Sequence, residues 1–206
     1  MPKLKIAILA SGRGSNFEEI AKAVKNGEIN AEIKVMITNR PEAGAVSIAK
    51  EYKIPCEIIE RKNFAKRTQF DLKLKEILDS YKVDLVVLAG YMLLIKSKEL
   101  LEKYKNRIIN IHPSLLPKYP GEDAQEQAFK AGEKISGLTI HFVDAGLDSG
   151  PIILQKEVDI SDCKNADEVT QKILNEEHKQ YKKIIDNFSK GEYKIINGKV
   201  SSLRRD

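Results

Sequence analysis

The chain has 206 residues, long enough for one sizeable core, with 42% apolar and 32% charged residues and a formal charge of +5. Its cations alternate with acids, as in E-I-L-D-S-Y-K and L-L-E-K-Y-K, which reads as solvated helix faces rather than a nucleic-acid stripe and leaves at most a modest field for an anionic small substrate. M-P-K-L-K-I-A-I-L-A is too short an apolar run for a leader or membrane span, and Cys56 and Cys163 lack disulfide or zinc spacing, so a reduced cytoplasmic protein is expected.

In chain order, residues 4–10 read as an apolar strand running into A-S-G-R-G-S-N, and residues 15–26 as an amphipathic helix. Strands follow at 31–38, 55–59, 85–89 and 107–112, with helices at 42–52 and 64–81 between them. The near-continuous apolar run D-L-V-V-L-A-G suits a strand covered on both faces. This alternation predicts an α/β fold built on an open, mostly parallel sheet with helices on both faces. Residues 121–132 read as a helix ending at glycine. Residues 137–143 and 152–158 then read as two strands, joined by a D-A-G-L-D-S-G-P loop short enough to imply an antiparallel pair. A long helix is expected over 166–189, then a hairpin Y-K-I-I-N-G-K-V turning at Asn197–Gly198. No repeat, linker or composition break divides the sequence, so residues 1–206 are expected to form a single domain.

In such a sheet ligands gather beyond the carboxyl ends of the strands. The segments there carry the polar and glycine residues: A-S-G-R-G-S-N, L-A-G-Y-M and N-I-H-P-S. The glycines of the first allow a tight turn, and the helix start behind them suits a phosphate. A blander reading has Ser15 cap the helix with Glu18 completing a capping box. Phe17 at the third glycine position and the absence of an acid after the second strand argue against a dinucleotide. The absence of G-K-[ST] argues against a P-loop.

Asn110 and His112 lie two apart, so on a strand they share a face, and Pro113 ends the strand. An amide and an imidazole side by side can hold an oxyanion, and the imidazole can move a proton. The alternative is a satisfied core histidine beside a turn asparagine. Downstream, T-I-H-F-V-D-A-G-L-D-S-G-P brings His141, Asp144 and Asp148. A carboxylate near His112 is expected to raise that imidazole's pKa by favouring its cation. The three histidines fall in separate segments without H-E-x-x-H, so no metal is expected. Without a G-x-S-x-G elbow, direct transfer to a bound nucleophile is favoured over a covalent route.

I-I-N-I-H-P-S-L-L-P-K-Y-P-G, with H-F-V-D-A-G-L-D-S-G-P-I-I downstream, resembles the folate-dependent formyltransferases. The opening A-S-G-R-G-S-N-F-E-E-I is similar to the branch acting on glycinamide ribonucleotide, and the likeness runs to E-E-H in the last long helix. The resemblance implies a Rossmann-like sheet of about seven strands. It implies transfer of the formyl group of 10-formyltetrahydrofolate, as co-substrate, to the glycyl amine of glycinamide ribonucleotide in de novo purine biosynthesis. Asn110, His112 and Asp148 would then be the catalytic trio, with protonated His112 and Asn110 holding the oxyanion and Asp148 sustaining the cation. Gly14, Ser15 and Asn16 would hold the phosphate, with Lys172 as a further candidate, and Glu177 would meet the ribose hydroxyls. Met92, Leu93, Leu94 and Ile95 would line the folate pocket, Arg67 would reach the cofactor, and Asp144 would sit in the folate loop.

By the same resemblance, residues 1–105 form a phosphate-binding half and 106–206 a catalytic and folate-binding half. Relatives of this kind can carry Arg in place of Leu93, His within the Glu122-Asp123-Ala124-Gln125 stretch, and Lys near Leu174. The implied partners are small molecules only, without nucleic acid, membrane or metal, in a monomer or homodimer. Two sibling chemistries compete, a formyltetrahydrofolate hydrolase and a tRNA-formylating enzyme, each of which usually carries an extra domain. A non-catalytic nucleotide-binding domain is a third alternative, and it leaves Asn110, His112 and Asp148 without a role.

Overall fold

Alternate side chains of the first strand are buried in opposite directions, and this sets the layering of the whole molecule. In the computed structural model, which describes residues 2–191, 193–196 and 199–202, Ile6 and Ile8 of β1 (Leu4–Leu9) enter one core while Ala7 and Leu9 enter the other. The first core is closed by α1 (Ser15–Lys25), α2 (Gly44–Glu51), α5 (Ala124–Lys130) and α6 (Ala166–Ser189). The second is closed by α3 (Arg67–Ser80) and α4 (Lys98–Lys103). On α3 the buried residues Phe70, Leu74 and Leu78 recur every four positions, one helical face. Each contributes about 2 kcal/mol of apolar burial.

The remaining strands are β2 (Ala31–Thr38), β3 (Cys56–Ile58), β4 (Leu85–Leu88), β5 (Ile108–His112), β6 (Ile135–Phe142) and β7 (Ile152–Asp159). They form one seven-stranded sheet in the order β3-β2-β1-β4-β5-β6-β7. Pairing is parallel from β3 to β5 and antiparallel for β5–β6 and β6–β7, as the short loop implied. The chain first winds outward from β1 to β3 and then crosses back to β4. The loops leaving β1 and β4 therefore diverge, and a crevice opens at their carboxyl ends.

Several boundaries differ from the sequence reading. Strand 55–59 shortens to the three residues of β3, and helix 64–81 starts only at Arg67, after a 3₁₀ turn at Arg61–Asn63. The helix expected from 121 begins at Ala124 because Gly121 and Asp123 hold left-handed backbone (φ 82° and 57°). Helix α4 falls on the L-L-E-K stretch read as a solvated helix face but given no bounds; its start is capped by Ser97, whose hydroxyl accepts the Leu100 N–H at 3.3 Å. Strands β8 (Tyr193–Ile196) and β9 (Lys199–Ser202) pair antiparallel as the hairpin predicted, while its Asn197–Gly198 turn lies outside the described residues. Among the described residues no helix is long and apolar enough to cross a membrane.

Candidate functional site

The crevice beyond β1, β4 and β5 holds a cavity of about 580 Å³. Its catalytic-looking wall begins with β5, where Asn110 and His112 project from one face, and His112 is only 4% exposed. Antiparallel register sets His141 of β6 directly opposite Asn110. Asp148 arrives from the loop between β6 and β7, which doubles back tightly. A Cβ on Gly150 would stand 1.8 Å from the Phe142 carbonyl oxygen, so only glycine permits that return.

Hydrogen bonds fix the protons. His112 Nε2 lies 2.8 Å from the Tyr119 carbonyl, which only accepts, so Nε2 carries the hydrogen and Nδ1 is left bare. That Nδ1 faces Asp148 Oδ2 at 3.5 Å, and the same carboxylate oxygen accepts the Gly121 N–H at 2.9 Å. His141 Nδ1 donates to the Phe142 carbonyl at 2.9 Å, leaving Nε2 to accept from Asn110 Nδ2 at 3.3 Å. This orients the Asn110 amide with its nitrogen inward, 3.5 Å from Asp148 Oδ1. These contacts to Asn110 are long, so its N–H groups are steered without being consumed.

Burial lowers the His112 pKa, and the neighbouring His141 imidazole adds to that; the Tyr119 carbonyl and Asp148 oppose it without prevailing. The nearby carboxylate does act to raise this pKa, as expected, but burial outweighs it, and His112 rests neutral. Burial pushes Asp148 upward. The neighbouring His141 imidazole, the Gly121 N–H and the His112 imidazole together outweigh it, so Asp148 sits below the usual carboxylate range and is ionised.

Elsewhere on the cavity wall, Asn16 Nδ2 donates to Glu177 Oε2 at 2.7 Å, and Asn16 Oδ1 is buried with no partner among the described residues. Burial pushes the Glu177 carboxyl up to about 7, only partly opposed by Asn16. Tyr181, one turn further along α6, shares its O–H between the carbonyls of Leu88 (2.9 Å) and Ile109 (3.1 Å), which pins α6 over β4 and β5 and so places Glu177. Gly14, with φ 86°, is the N-cap residue of α1. A Cβ there would meet Ala45 Cα at 3.0 Å. Ser15 is already helical, so the Ser15–Glu18 capping box does not form.

On the third side, Met92, Leu93, Leu94 and Ile95 line the cavity. Ser11 Oγ accepts the Met92 N–H at 3.0 Å and donates to Asn39 Oδ1 at 2.5 Å. Buried Asp71 receives the N–H groups of Lys96 (2.7 Å) and Ser97 (2.9 Å), closing the same segment from behind.

The structure thus brings Asn16, Glu177, Asp144, the 92–95 segment and the trio Asn110, His112 and Asp148 to one cavity, and leaves four predicted residues off its walls. Gly14 and Ser15 precede Asn16 in the chain but do not line the cavity. Arg67 pairs with Asp71 at 3.1 Å, its guanidinium 4.8 Å above the Phe70 ring. Lys172 is engaged by Asp162 and by the Asp159 carbonyl. The walls carry carboxylates (Glu122, Asp123, Asp144, Asp148 and Glu177) and neither Lys nor Arg, so the chain's positive charge is not delivered into the cavity. Among the described residues no group of three His, Cys, Asp or Glu side chains is placed to hold a metal ion. Sequence reasoning assigned no role to His141, or to the Tyr119 backbone. The signal for His141 was its own strand, which an antiparallel partner must set against Asn110.

Residues 4–185 match the family model described as formyl transferase. The phosphoribosylglycinamide formyltransferase of Bacillus subtilis is 42% identical over 181 residues, covering 88% of this chain and 92% of that protein. The Escherichia coli protein of the same name is 35% identical over 192 residues, covering 93% and 90%. Among solved structures, glycinamide ribonucleotide transformylase 1 from Symbiobacterium toebii superposes with a TM-score of 0.94 at 39% identity, covering 98% of this chain and 95% of that one. A formyltetrahydrofolate deformylase from Pseudomonas syringae shares the fold, with a TM-score of 0.89 at 23% identity.

Proposed function

The chain belongs to the formyl transferase family, and on that premise we propose that it moves the formyl group of 10-formyltetrahydrofolate to the glycyl amine of glycinamide ribonucleotide in purine biosynthesis. The observation that carries the residue roles is the meeting of Asn110, His112 and Asp148 with Asn16 and Glu177 on the walls of one cavity. The amine attacks the formyl carbon, the carbonyl oxygen takes up negative charge, and Asn110 Nδ2 donates to it. Neutral His112, with Nδ1 bare, takes the proton released by the attacking nitrogen. The imidazolium so formed is held between the Asp148 carboxylate and the Tyr119 carbonyl. It then returns the proton to the departing folate nitrogen, and the tetrahedral intermediate collapses to the formylated amine.

Asn16 and Glu177 present acceptors suited to sugar hydroxyls, and the N-terminus of α1 is suited to the phosphate. The apolar 92–95 segment suits the pterin side of the folate. On this reading one domain serves both substrates, and the free thiols Cys56 and Cys163 fit a reducing cytoplasmic setting.

The test is to incubate purified protein with 10-formyltetrahydrofolate, with and without glycinamide ribonucleotide, and follow tetrahydrofolate. Strict dependence on the ribonucleotide is expected. Release without it would make the protein a hydrolase, and tight ribonucleotide binding without turnover would make it a binding domain.

A further inference from the structure

Tyr119 is a non-glycine residue in left-handed backbone (φ 53°), immediately before Pro120. An L-residue persists there only when its surroundings impose it. Its side chain is held on two sides, by packing of the ring against the core and by Glu133, a residue off the cavity walls. Glu133 follows α5, its N–H bonded to the Ala128 carbonyl at 3.2 Å. Its Oε1 accepts from both Lys118 Nζ at 2.7 Å and the Tyr119 hydroxyl at 2.9 Å. Ser114 Oγ donates to the Lys118 carbonyl at 2.5 Å and makes a longer contact, 3.4 Å, to the Tyr119 carbonyl itself. The outcome of this clasp is the placement of the Tyr119 carbonyl 2.8 Å from His112 Nε2.

We propose that Glu133 is a positioning residue that keeps the His112 proton on Nε2 through the Tyr119 carbonyl, an inference that rests on the proton-transfer role given to His112 above. If that carbonyl withdraws, a neutral imidazole gains more by placing its hydrogen on Nδ1, where Asp148 waits at 3.5 Å. Nδ1 then cannot take the substrate's proton, and the bare Nε2 points away from the cavity. The tautomer is wrong although every catalytic group is present. An ion pair this exposed contributes little to folding, so its geometric effect is separable from stability.

The experiment combines steady-state kinetics with ¹⁵N NMR of the imidazoles in the full chain, the His112 signals being assigned by their loss in His112→Ala. Glu133→Ala is expected to lower kcat about tenfold, with KM for both substrates within about twofold, and to shift His112 toward the Nδ1–H pattern. Glu133→Gln, whose amide oxygen still accepts from Tyr119 and Lys118, restores both readouts. Tyr119→Phe, which keeps the carbonyl and the Lys118 link, gives a smaller loss of the same kind, and it carries the test should Glu133→Ala fail to fold. An unchanged kcat, or a fall in kcat without a change of tautomer, overturns the proposal while an inactive His112→Ala leaves the catalytic reading standing. An active His112→Ala removes both.

Discussion

Glu177 is buried with one polar neighbour, and its carboxyl is pushed up to about 7 from 4.5. The folded state therefore binds this proton more tightly than the unfolded chain does. The sign follows: the stabilising contribution is complete below pH 4.5 and is lost as the pH rises through 7, worth about 3 kcal/mol over that interval. Denaturant unfolding should show the substrate-free protein losing stability between pH 5 and pH 8, and Glu177→Gln should flatten that loss. At Asn110 the contacts are long and the amide is aimed inward. Asn110→Ala should lower kcat by about 10²–10³-fold in the formyl-transfer assay while leaving unfolding nearly unchanged. For His112 the depressed pKa puts the acid limb of kcat/KM below the ordinary histidine value. Because Asp148 favours the cation, Asp148→Asn should move that limb to still lower pH while also reducing the rate.

Elements place these groups by few and specific means. β5 and β6 set Asn110 against His141 by register alone, and a one-residue slip would turn both away from the cavity. The loop after β6 depends on Gly150. Gly150→Ala drives a methyl into the Phe142 carbonyl, so it should displace Asp148 and lower kcat by about tenfold or more, with a Tm loss of a few degrees. Near-normal activity in that variant would mean that the loop's return does not position the carboxylate. The elements were largely legible beforehand: 166–189 matches α6, and the apolar runs became strands because burial on both faces removes alternation. Less legible were the ends. Gly121, Asp123 and Gly14 take left-handed conformations that composition permits but does not require, so the α5 start was misread and the alternative Ser15 cap does not form.

At the scale of the molecule, the formal charge of +5 resides outside the cavity, whose walls hold carboxylates. Attraction of an anionic substrate is then a long-range effect screened over a Debye length of about 10 Å at 0.1 M salt. Raising the salt toward 0.3 M should lower kcat/KM modestly and leave kcat unchanged; a comparable fall in kcat would place a cation at the reacting groups instead. The sequence by itself determined the α/β class and the strand ends where polar residues collect, and singled out Asn110 and His112 there, since periodicity and short motifs are local properties; Asp148 joined them only through the family resemblance. Only the tertiary structure decided their state: that His112 rests neutral, that its proton sits on Nε2, that His141 orients Asn110, and that Asn16 meets Glu177 across 161 positions of chain. Burial and partner geometry set protonation, and both arise only when segments far apart in sequence are packed together.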